Sequence, residues 1–199
     1  MAISADYFEA LFAGNDDPWS FRSRWYEARK RALTLASLPR QKYATAYEPG
    51  CANGELSAEL AVRCERLLIS DGTPRAVDLA RERVKALPHV EVVQAWVPDG
   101  WPSRTFDLIV ISELGYFLTE KSLDELVAKA RQSLLSNGTV LACHWRRPIQ
   151  GCVMTGKEVH VRLHQYLGLA RIVSITDADF MLDVWCSDRE SVAQKEQIP

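Results

Sequence analysis

Strand-like and helix-like patterns alternate along almost the whole chain. This predicts an α/β fold: seven strands in a mostly parallel sheet, with helices on both faces. Two further observations sharpen the prediction. "FDLIVISEL" is an almost continuous apolar run, as a strand covered on both faces requires. The last two strand candidates, "ARIVSIT" and "FMLDVWC", are separated only by "DAD", so they read as an antiparallel hairpin on one edge.

Each element has its own signal. Tyr7, Phe8, Leu11 and Phe12 recur at helical spacing, which predicts a helix from Ser4 to about Phe12. "GNDDPW" breaks it with turn residues. A second helix is expected from about Phe21 to Ser37, closed by Pro39. "YATAYEP" is the first strand, "GELSAELAVRC" a helix, and "RLLISD" the second strand. "PRAVDLARERVKAL" follows as a helix with Pro74 in its first turn. "VEVVQA" and "FDLIVISEL" are strands three and four. "SLDELVAKARQSLL" is a helix for which Gly138 suits a C-terminal cap. "TVLACHW" is the fifth strand, and a helix near Gly156 to Leu167 leads into the final hairpin. With no linker or internal repeat, the chain is expected to be one domain, 1–199. Its first 40 residues form a helical cap, and 41–199 form the strand-bearing core.

The bulk composition excludes several classes. In 199 residues, 47% are hydrophobic and 25% charged, the balance of a soluble globular domain. A formal net charge of −2 argues against a broad nucleic-acid footprint, so no nucleic-acid partner is expected. Arg22, Arg24, Arg29, Lys30 and Arg31 form either a local basic patch or the solvated face of a helix. Five cysteines, with no CxxC pair, fit reduced thiols. His160 and His164 stand four apart, but no further ligand is obvious, so no metal is expected. No basic segment followed by an apolar run opens the chain, and no stretch approaches the ~20 apolar residues of a membrane span. A cytoplasmic protein without a membrane partner is expected; the oligomeric state is open.

"YEPGCANGEL", Tyr47 to Leu56, carries the chemistry. It follows the first strand, where ligands of open α/β sheets settle. A side chain at Gly50 or Gly54 would block close approach of the backbone to a ligand, and Ala52 is the smallest departure from glycine. Asp71 ends the next strand, about 20 residues on, where an acid accepts hydrogen bonds from a ribose diol. A dinucleotide pyrophosphate wants G-x-G-x-x-G at a helix N-terminus. The spacing here is G-x-A-x-G. S-adenosylmethionine has no phosphate and needs only a close-approaching backbone and a ribose acid, so it fits better.

On these residues the stretch Tyr47 to Leu118 resembles the class I S-adenosylmethionine-dependent methyltransferases, whose first motif is [DE]-x-G-x-G-x-G. "DDPWSFRSRWYEARKRALTLASLP" ahead of it resembles the NodS-like branch, which N-methylates the free amine of a deacetylated chitooligosaccharide. The resemblance implies a Rossmann-like seven-stranded sheet with its last strand antiparallel and S-adenosyl-L-methionine as cofactor. Carried over by position, Glu48 opens the motif, and Gly50, Ala52 and Gly54 line the methionine part. Asp71 holds the ribose, and Gly72 and Thr73 lie beside the adenine. Where the family often has an acid near the adenine, this chain has Ala95 and Trp96, so packing by Trp96 is expected instead. Ser112 and Glu113 correspond to the point where the methyl group faces the acceptor. Arg24 or Arg29 is expected to pair with the cofactor carboxylate.

Methyl transfer needs nucleophile, methyl and sulfur in line. Glu113, Tyr116 and His144 fall at the C-terminal ends of strands four and five, so they are the catalytic candidates. Glu113 would accept the acceptor's proton or merely orient the amine, Tyr116 close the methyl pocket and His144 serve as general base. Trp19, Phe21, Trp25 and Tyr26 are expected to cap the site, by packing or by facing a cation or sugar ring. The expected activity is N-methylation of a small-molecule or oligosaccharide acceptor. A small-molecule O-methyltransferase and a non-catalytic cofactor-binding protein of the same fold are the alternatives.

Overall fold

The computed structural model describes residues 3–198. Its seven strands are β1 (Ala46–Pro49), β2 (Leu67–Asp71), β3 (Val90–Gln94), β4 (Phe106–Ser112), β5 (Leu134–Trp145), β6 (Ala170–Thr176) and β7 (Phe180–Cys186). They form one sheet in the order β3-β2-β1-β4-β5-β7-β6. β1 to β5 pair in parallel. β7 runs antiparallel to both neighbours, so the hairpin inserts its second strand beside β5 and leaves β6 at the edge. This is the Rossmann-like sheet of the methyltransferases.

The helices are α1 (Ala5–Ala13), α2 (Trp25–Ala36), α3 (Glu55–Leu60), α4 (Pro74–Val84), α5 (Glu120–Ser133), α6 (Gly156–Leu167) and the short α7 (Val192–Lys195). No described helix is long and apolar enough to cross a membrane. The strand period of two divides β4 between two cores. Leu108 and Val110 face Leu60, Ala80 and Val84 of α3 and α4. Ile109 and Ile111 face Leu123, Leu126 and Val159 of α5 and α6. Each such side chain contributes about 1.5–3 kcal/mol on burial, which is why β4 is apolar without alternation.

Two local expectations are corrected. α2 starts at Trp25, not near Phe21, because Asp17 side-chain oxygens accept from the Phe21 and Arg22 amides at 2.8 and 3.1 Å and hold that stretch as a turn. Gly138 does not cap α5. The helix passes directly into β5 at Leu134, and Gly138 lies inside that strand, where a Cβ would meet Leu134 Cγ at 2.4 Å. The glycine permits a close approach across the shift in pairing between Phe106 and Leu108.

The chain leaves β1 toward β2 and leaves β4 toward β5. Their following loops therefore diverge, and a crevice opens between them at the C-terminal ends of the strands.

Candidate functional site

A cavity of about 810 Å³ fills this crevice, roofed by α1 and α2. One end is bounded by Asp71, Gly72, Ala95 and Trp96; the other by Glu113, Tyr116 and Trp145. The glycine loop runs between them. Gly50 has φ +73° and Ala52 φ +49°, so the alanine keeps the left-handed backbone that glycine favours. A Cβ at Gly50 would meet Leu114 Cδ1 at 3.2 Å.

Asp71 organises that loop. Its Oδ2 accepts from the Ala52 amide at 3.0 Å and its Oδ1 from the Thr73 amide at 2.9 Å. Asp71 lines the cavity as well. Burial pushes its carboxyl above the usual range, partly offset by these amides. The Trp96 ring lies so close over Gly72 that any Cβ there would overlap it, at 2.0 Å. Phe8 of α1 approaches the same indole, with ring centroids 6.1 Å apart.

At the other end stands a charge cluster. Lys30 of α2 is buried and donates to Glu113 at 2.6 Å, with Glu27 at 3.0 Å. Burial works to lower the Lys30 pKa, but the two carboxylates outweigh it and hold the ammonium protonated, above the usual lysine range. Burial raises the Glu27 carboxyl, against the pull of Lys30. Glu113 sits at φ +52°, a conformation few non-glycine residues adopt. Its Oε2 accepts from the Trp145 amide at 3.0 Å and from the Tyr116 phenol. Burial and the Glu113 charge push the Tyr116 pKa well up, so this phenol stays a donor.

A second cavity of about 60 Å³ adjoins the first, sharing Lys30, Gly50, Ala52 and Glu113 with it. Glu48 and Ser112 face it rather than the large cavity. The Glu48 Oε2 has no partner, and burial pushes its carboxyl up to about 7, partly offset by the Ser57 hydroxyl.

Of the expected cofactor residues, Gly50, Ala52, Asp71, Gly72, Ala95, Trp96 and Arg24 line the large cavity together. Four others do not. Glu48 and Ser112 line the small adjoining cavity. Gly54 is at φ +78° against Ala80, where a Cβ would meet backbone at 3.1 Å; it lets α3 pack on α4. Thr73 is buried as the N-cap residue of α4.

Glu113 and Tyr116 meet at the cavity, but His144 does not join them. It is fully buried, and both ring nitrogens are engaged, with the Gly115 amide and with His160. It is not placed as a general base. Between the two arginines, Arg24 lines the cavity, whereas Arg29 pairs with Asp177 at 2.7 Å. Trp19, Phe21 and Tyr26 line the roof, but Trp25 points outward, 77% exposed. The basic cluster is not an open patch: Arg22 and Arg31 pair with Glu55 and Glu59. All five cysteines are free, and burial raises every thiol. No group of three or more potential metal ligands occurs among the described residues.

Sequence reasoning missed Lys30 and Glu27 as site residues. The signal was present: Glu27, Lys30 and Thr34 share one face of α2, and that face is the buried one.

The family model for nodulation protein S (NodS) matches residues 9–149. Nodulation protein S of Rhizobium tropici is 36% identical over 104 residues, 52% of this chain and 44% of the relative. That of Sinorhizobium fredii (strain NBRC 101917 / NGR234) is 34% identical over 106 residues, 53% and 49%. The chain thus spans about half the length of the curated relatives it matches. A crystal structure from Pseudomonas syringae, described as a candidate methyltransferase, is 48% identical with TM-score 0.74, covering 82% of this chain and 99% of that one. N-methyltransferase NodS from Bradyrhizobium japonicum WM9, in complex with S-adenosyl-L-homocysteine, shares the fold at TM-score 0.82 and 24% identity, covering 92% and 97%.

Proposed function

This chain belongs to the nodulation protein S family, and from that premise we propose that it is an S-adenosylmethionine-dependent methyltransferase. We infer that it acts on an amine nitrogen of a small or saccharide acceptor. The observation that carries the reading is the continuity of the cavity, from Asp71 and Trp96, past Gly50, to Glu113 and Tyr116.

When bound, S-adenosylmethionine supplies a methyl group already activated on a sulfonium. The chain's residues fit it. Asp71 lines the cavity as the acceptor for a ribose diol. Trp96 offers a flat wall to a base. Gly50 leaves room for the methionine part, and Arg24 has the fork that suits its carboxylate. Tyr26 and Tyr116 present aromatic faces to a cation. Glu113 orients the acceptor rather than taking its proton, because Lys30, the Trp145 amide and Tyr116 already occupy its oxygens. Alignment is then the main contribution of the protein. Five free thiols support a reducing, cytoplasmic setting.

The test incubates the chain with methyl-labelled S-adenosylmethionine, deacetylated chitooligosaccharide, simple amines and small hydroxyl metabolites. Label on nitrogen is expected. Label on oxygen alone overturns the amine reading, and binding without any transfer leaves a non-catalytic protein.

A further inference from the structure

Behind the acceptor end of the cavity lies a row of buried polar groups that the chemistry above does not use. The Gly115 amide donates to His144 Nε2 at 3.0 Å. His144 Nδ1 lies 3.1 Å from His160 Nε2, and His160 Nδ1 lies 2.6 Å from Asp183 Oδ2. All three side chains are at most 2% exposed. They come from β5, α6 and β7, and they converge on the turn Gly115–Phe117.

We propose that Asp183, His160 and His144 form a buried relay that positions this turn, and with it Tyr116, against Glu113. The part played in methyl transfer rests on the function proposed above; the relay itself rests on geometry.

One backbone amide sets every proton in the row. Gly115 N–H can only donate, so His144 Nε2 must hold a lone pair. His144 then carries its proton on Nδ1 and donates it to His160 Nε2. His160 in turn carries its proton on Nδ1 and donates it to Asp183. Burial agrees, holding the His144 pKa well below the usual value, so the ring stays neutral. Burial alone would raise the Asp183 carboxyl, but the pull of its partners, the His160 hydrogen bond first, outweighs it. The anion at one end polarises both rings and makes His144 Nε2 a better acceptor. The turn is tightly backed as well: a Cβ at Gly115 would meet Val159 Cγ1 at 2.4 Å. Tyr116 follows immediately, its ring 5.4 Å from that of His144 and its phenol on Glu113. These are positioning residues, since none lines the cavity.

The full chain, labelled with nitrogen-15, provides the test. Both rings are expected as neutral tautomers protonated at Nδ1, and a proton on His144 Nε2 overturns the relay. His144→Leu is expected to speed Gly115 amide exchange by about tenfold or more, shift the Tyr116 ring resonances and lower kcat. The dissociation constant for S-adenosylhomocysteine should change less than about twofold. His144→Gln keeps an acceptor oxygen near the Nε2 place and should restore all three. Unchanged Gly115 exchange in a folded His144→Leu, or faster exchange with Tyr116 and kcat unmoved, overturns the positioning role. If His144→Leu does not fold, the wild-type tautomers and a comparison of His144→Gln with the wild type decide. If the wild type methylates nothing, the proposed function fails, and the tautomers and Tyr116 resonances still judge the relay.

Discussion

Asp71 ties two loops together with one carboxylate and still faces the cavity. Asp71→Ala should therefore weaken S-adenosylhomocysteine binding by at least about tenfold in calorimetry. It should also cost about 1–3 kcal/mol of stability, because the Ala52 and Thr73 amides lose their acceptor. An unchanged affinity would remove Asp71 from the ribose role. Gly50→Val puts a β-branched residue at φ +73° and a Cβ 3.2 Å from Leu114. The left-handed backbone costs about 1–2 kcal/mol, and the added methyls narrow the loop. Binding should vanish with the far-ultraviolet circular dichroism retained; normal binding would make the loop a mere turn. Glu48 yields a pH dependence. Its carboxyl is pushed to about 7 when folded, above its unfolded value of 4.5, so the folded chain holds the extra proton between those values. Its protonated form favours folding, and that contribution is lost as pH rises toward 7. Relative to Glu48→Gln, the wild type should lose about 2.5 kcal/mol between pH 5 and pH 8 in urea denaturation. Parallel curves for the two proteins would mean that Glu48 is ionised at both pH values. The place of Asp71 at the cavity was legible because a strand-final acid after a glycine loop has a fixed address. His144 was not, because its strand position says which end of the sheet it occupies and nothing of the two groups that hold its ring nitrogens.

At the scale of elements, α2 is fastened to the sheet by charge as well as by apolar contacts, with Tyr26, Leu33 and Leu35 packed against the core. Its most buried residues are Glu27, Lys30 and Thr34, and Lys30 bridges to Glu113 at the end of β4. Removing one partner of a buried pair leaves an uncompensated charge. Lys30→Met should therefore cost about 2–4 kcal/mol, and Lys30→Met with Glu113→Gln should recover part of it. A single-variant change within about 0.5 kcal/mol would show that α2 is held by other contacts. The helical period marked α2 as a helix, and its aromatic residues Trp25 and Tyr26 were both expected to cap the site. The structure divides them, with Tyr26 on the cavity and Trp25 in solvent. Periodicity reports which residues share a face; which face turns inward depends on the partner, here a carboxylate 83 positions away.

At the scale of the molecule, a cavity roofed by α1 and α2 and floored by the strand ends couples ligand binding to global stability. A ligand at about 100 times its dissociation constant adds about 2.7 kcal/mol. For a chain of 199 residues this is about 5–10 °C in Tm. S-adenosylhomocysteine should produce that shift in a thermal melt and slow amide exchange across α1 and α2. No shift at saturating ligand would mean that the cavity does not hold this class of cofactor.

The sequence by itself determined the order of strands and helices along the chain, the antiparallel final hairpin at one edge and the place of the glycine loop and Asp71; the insertion of β7 beside β5 came from the structure. The features legible in sequence are local: side-chain period, turn residues and the spacing of one βαβ unit specify them within about 30 residues. Only the tertiary structure decided that Lys30 lines the large cavity and His144 does not. It also decided that Glu48 and Ser112 line the small adjoining cavity, and that Asp183, His160 and His144 align on Gly115. Buried polar groups must find partners, and here those partners come from distant elements, so their pairing exists only once the sheet has brought β4, β5, β7, α2 and α6 together.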